Sequence, residues 1–80
     1  MEEPGNQIEK RVEKDINSFF SNLDSFKISR NGKTAKVVEL AKMYASDAKS
    51  YLAKKDFYTS FSCISYAHGL LDAAKEMSGD

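Results

Sequence analysis

The sequence contains no tryptophan and only one cysteine, one histidine and one proline. With Cys63 as the single thiol, these 80 residues can form neither an internal disulfide nor a C-x-x-C metal or redox site. A lone thiol is the usage expected of a reducing cytosol. No stretch approaches the roughly 18 consecutive apolar residues that a membrane-spanning helix needs. The opening Met1-Glu2-Glu3-Pro4-Gly5 is acidic where a secretory leader is basic and then apolar, so a cytoplasmic location without membrane association is expected. Charge of a dominant sign is also missing: 12 basic residues balance 12 acidic ones. A surface that grips nucleic acid or anionic lipid over its whole area is therefore excluded. The Gly-rich phosphate loop, H-E-x-x-H and G-x-S-x-G patterns are absent. Neither a cofactor nor an enzymatic activity is expected.

What remains is a chain sized for one domain, residues 1–80, with 41% hydrophobic residues for a core. The single proline and four glycines leave long segments free of helix breakers. Pro4-Gly5-Asn6 reads as a stop, with Asn6 as N-cap and Glu9 completing a capping box. Ile8, Val12, Ile16, Phe19, Phe20 and Leu23 then recur at three- and four-residue steps, which predicts an amphipathic helix over about 6–24. Asn31-Gly32 is a turn dipeptide and Thr34 an expected N-cap. Val37, Val38, Ala41, Tyr44, Ala45, Ala48, Tyr51 and Leu52 carry a second helix over about 34–54.

Lys54-Lys55-Asp56 is a link so short that the flanking helices must form an antiparallel hairpin, with Asp56 capping the third helix. That helix, about 57–77, is apolar round most of its circumference, from Phe57 and Phe61 through Ile64, Tyr66, Leu70 and Leu71 to Met77. Such a helix is expected at the centre of the bundle or at an interface with another chain. The prediction is all-α: an up-down-up three-helix bundle, completed by oligomerisation if the third helix keeps a spare face.

Two resemblances sit on this hairpin. Asp47-Ala48, the Lys54-Lys55-Asp56-Phe57-Tyr58 link and Tyr66-Ala67-His68-Gly69-Leu70-Leu71-Asp72-Ala73 resemble a family of small archaeal helical proteins catalogued as a domain of unknown function. The resemblance implies a compact helical fold and an archaeal cytoplasmic source, and no activity. Ala48, Tyr51, Asp56-Phe57, Ile64 and Ala67 are also similar to one tetratricopeptide unit. Ser60 and Lys55 depart from that motif, which prefers alanine and glycine there. A solenoid needs about three stacked repeats and the chain holds one, so the likeness reflects shared hairpin packing.

Three sets of residues are candidates for chemistry. Ser65, His68 and Asp72 share one stripe of the third helix. One stripe offers two good metal ligands where three or four are needed, and nothing supplies an oxyanion hole. The expected arrangement is Asp72 hydrogen-bonded to a half-buried His68. Gly69, in mid-helix, weakens the helix by about 1 kcal/mol relative to alanine, and close approach of another helix, or a ligand notch beside His68, would account for it. Lys27, Arg30, Lys33 and Lys36 form a basic connection inside a segment, residues 25–56, with eight basic residues against three acidic. A local basic tip suits phosphate, as in RNA or nucleotides, although Phe26 alone offers a base-stacking ring. A protein-interaction or assembly module, pairing with itself or another protein, is the leading expectation. An RNA or nucleotide-phosphate accessory domain is the alternative.

Overall fold

The computed structural model describes residues 4–26 and 32–79, with side chains placed for 7–26 and 32–77. Three helices account for nearly all of them: α1 (Pro4–Ser25), α2 (Gly32–Ala53) and α3 (Phe57–Gly79). Among the described residues there is no strand, and the helices pack as an all-α bundle.

Two helix starts lie upstream of the predicted ones. α1 opens on Pro4, so Asn6 lies inside the first turn and is not its cap. A proline there loses nothing, because the first N–H groups of a helix have no intrahelical acceptor. α2 opens on Gly32, and Thr34 is fully buried within its first turn instead of capping it. Thr34 is the first member of the stripe Thr34, Val38, Ala41, Ala45, Ala48, every one of them buried.

The corner between α2 and α3 is as the sequence predicts. Lys55 has φ 65°, its N–H donates to Leu52 O at 2.9 Å, and Asp56 N–H donates to Tyr51 O at 2.9 Å. That hydrogen-bond pair is a Schellman ending, with a lysine in the left-handed position that glycine usually fills. Asp56 Oδ1 then accepts from Thr59 N–H at 3.2 Å, capping α3. The helices are terminated and restarted within three residues.

The α2–α3 contact is the largest in the molecule. Ala41, Ala45 and Ala48 meet Ser60, Ile64, Ala67, Leu71 and Ala74, all buried, and small side chains on both sides let the two backbones approach closely. Ser60 is buried because its Oγ donates to Ala48 O at 2.6 Å. α1 lays Val12, Ile16 and Phe19 into this seam, lying mainly against α3 and less against α2. The radius of gyration is 13.6 Å, larger than the ~12 Å of a compact chain this long. The bundle is a rod, and a rod leaves much of each helix uncovered.

Helix α3 shows this most clearly. It touches both other helices, as the sequence predicts, yet it is not enclosed. Ile64, Ala67, Leu71 and Ala74 are buried, whereas Tyr58, Phe61, Tyr66 and Met77 are exposed. Its two neighbours cover one side only.

Candidate interaction surface

α1 docks on one side of the hairpin, and its contacts define that side. His68 of α3 reaches Asp15 O of α1 at 2.9 Å through Nε2. A carbonyl can only accept, so the imidazole carries its proton on Nε2. The same ring stands edge-on to Phe19, with centroids 5.7 Å apart. Arg11 lies 5.9 Å from the centroid of Phe61, and Lys49 Nζ lies 4.3 Å from that of Phe20. An open cleft of ≈ 380 Å³ lined by Gln7, Ile8, Arg11, Tyr58 and Phe61 runs beside α1 on its α3 flank. A second, of ≈ 460 Å³, lies on its α2 flank among Glu13, Ile16, Asn17, Lys49 and Leu52.

These contacts correct two expectations about the His68 stripe. His68 is held by the backbone of α1 and not by Asp72, which lies exposed beside Ser65 and Gly69 on the outer side of α3. The imidazole is thus turned to α1, while the hydroxyl and the carboxylate lie exposed. Among the described residues no group of three or more His, Cys, Asp or Glu is placed to hold a metal. Among the described residues Gly69 makes no close helix approach: a Cβ built there meets nothing within 4 Å. The two clefts do not include Gly69 among their lining residues.

The opposite side of the hairpin, away from α1, carries a different surface. Tyr44 of α2 and Tyr66 of α3 meet edge-to-face across it, with centroids 4.6 Å apart. Tyr66 is 55% exposed, and Leu40 and Met77, further along the two helices on the same side, are 40% and 46% exposed, with Met43 at 63% on the rim. Half-buried Val37, Cys63 and Leu70 fill the floor between them. From Phe57 to Leu71 the sequence holds no Asp, Glu, Lys or Arg, in a chain where such residues make up 30%. Exposed helix surface without charge is the compositional mark of an interface centre. Burial, followed by the charges of Asp47 and Asp56, pushes the Cys63 thiol up from its ordinary value.

Leu40 and Met43 did not stand out in the sequence, because neither belongs to the buried stripe of α2. Their signal was their presence as large apolar residues three apart on its polar side. Of the basic connection, Lys33 and Lys36 are exposed in the first two turns of α2, while Lys27 and Arg30 lie outside the described residues. No described helix is long and apolar enough to cross a membrane.

Comparison with known proteins gives one match. The model of a family described as "protein of unknown function (DUF357)" covers residues 8–79. No curated protein and no solved structure matches the chain.

Proposed function

We propose, from the premise that this chain belongs to the DUF357 family of unknown function, that it is a non-enzymatic protein-interaction module. One observation carries the reading: the cluster of exposed Leu40, Met43, Tyr66 and Met77 on the side of the hairpin that α1 leaves bare. A small protein gains nothing in solubility or stability from large apolar side chains held in water, and the largest apolar surface of a small protein is often its functional one. The groups that would carry catalysis are dispersed or employed structurally. His68 fastens α1 to α3, Asp72 and Ser65 are exposed on α3, and Cys63 sits half-buried with its thiol shifted up by burial.

In this reading α1 and the α2–α3 seam hold the hairpin rigid, and the hairpin offers its bare side to a partner. Preorganisation of that kind reduces the ordering cost of binding. Site-specific cross-linking in cells tests it. A benzophenone amino acid at position 66 is expected to capture protein, whereas the same group at Ser46, an exposed polar position of α2, is not. Equal capture at both positions, or none at position 66, refutes the proposal.

A further inference from the structure

Resting on that reading, we infer that the partner is a second copy of this chain, and that two hairpins close face to face over the Tyr44–Tyr66 pair into a four-helix layer flanked by the two α1 helices.

The first argument is area. A large apolar side chain covers roughly 150–250 Å², so the exposed fractions of Leu40, Met43, Tyr66 and Met77 leave on the order of 400 Å² per copy. The half-buried Val37, Tyr44 and Leu70 bring this to about 500 Å², hence about 1,000 Å² for the pair, which is the lower limit for a specific interface. A self-pairing of this size falls in the class of transient, reversible interfaces and well below that of obligate dimers.

The second argument is charge. The chain is neutral overall, so two copies approach without net repulsion. The α3 side of the surface is uncharged as far as Leu71, and the first charges beyond it are Asp72, Lys75 and Glu76. Because α2 and α3 are antiparallel, the exposed Lys36 near the start of α2 and the exposed Glu76 near the end of α3 lie at the same end of the rod. A two-fold axis running along the rod would lay α2 of one copy over α3 of the other. It would then set each Lys36 opposite Glu76 of the second copy, at the polar rim where opposite charges fix register. A two-fold axis is the ordinary symmetry of such a self-complementary patch.

The test is the weight-average mass of the purified chain by analytical ultracentrifugation, across dilutions from near-millimolar to sub-micromolar. The mass is expected to rise from 9.0 kDa towards double that value with concentration. Leu40→Glu and Tyr66→Glu, both at exposed positions, are each expected to weaken association at least tenfold with helix content unchanged. Lys36→Glu is expected to weaken it several-fold, and the double exchange Lys36→Glu with Glu76→Lys to restore it. A mass of one copy at every concentration overturns the inference, as does association indifferent to Leu40→Glu and Tyr66→Glu. If position 66 cross-links a different protein while the purified chain stays single, the second-copy assignment falls and the interaction reading stands.

Discussion

Gly69→Ala should make this protein more stable. Glycine in a helix interior is disfavoured against alanine by about 1 kcal/mol, because it has more backbone freedom to lose on folding. That loss is tolerated where a methyl group would collide with a neighbour. At Gly69 a Cβ meets nothing within 4 Å, so no collision offsets the gain. The site is also exposed, so the new methyl adds no burial of its own. The expected change is therefore the propensity difference alone, a stabilisation of about 0.5–1 kcal/mol. For a domain of this size that raises the melting temperature by roughly 2–8 °C. The measurement is urea and thermal unfolding of dilute protein by far-UV circular dichroism. The midpoint should rise while the denaturant slope stays the same, since the surface exposed on unfolding is unchanged. An unchanged or lowered midpoint would refute the reasoning and would mean that something outside this chain presses on the outer side of α3.

The reverse exchange applies at the corner, where Lys55 holds φ 65°. A left-handed conformation costs a side-chain-bearing residue of the order of 1 kcal/mol, so Lys55→Gly is expected to stabilise by up to about that amount, read from the same urea midpoints; a loss of stability would count against strain at the corner. His68→Ala removes one hydrogen bond and one aromatic contact between α1 and α3, together worth about 2 kcal/mol. Hydrogen exchange should show protection falling first in α1, and a uniform loss over all three helices would contradict the docking described above. The Cys63 thiol is raised by burial, with smaller contributions from Asp47 and Asp56, so the fold favours its protonated form. Its stabilising contribution is complete below the ordinary thiol value of about 8.5 and is lost as pH rises through the higher folded value. Alkylation of the native protein at mildly alkaline pH should accordingly lag behind that of the urea-unfolded chain, and equal rates would argue against burial.

The hairpin was legible in the sequence because its signals are local. Asp56 caps α3 as the link residues predict, and the Val38–Ala41–Ala45–Ala48 stripe is the buried one. The missed helix starts have a physical cause. Thr34 looks like a cap by residue type, but its methyl-bearing side chain lies in register with that stripe, and burial decides. His68 was matched with Asp72 because they are four apart on one helix. Its actual partner is 53 residues away, and no pattern within α3 could announce it. The apolar circumference of α3 was visible in composition. Which part of it stays bare depends on where α1 docks, and that position is set by tertiary contacts such as His68 to Asp15 O, not by any local pattern.

The three-residue corner has a consequence for the order of assembly. The helices it joins share the largest contact in the molecule, so closing that contact requires almost no loop entropy. Folding is then expected to begin at the corner and run outward along the alanine seam, a local event of the kind that makes helical proteins fold quickly. α1 joins last, onto a scaffold already built. Any nascent chain of this sequence must therefore wait for its final third before its first third has anywhere to go.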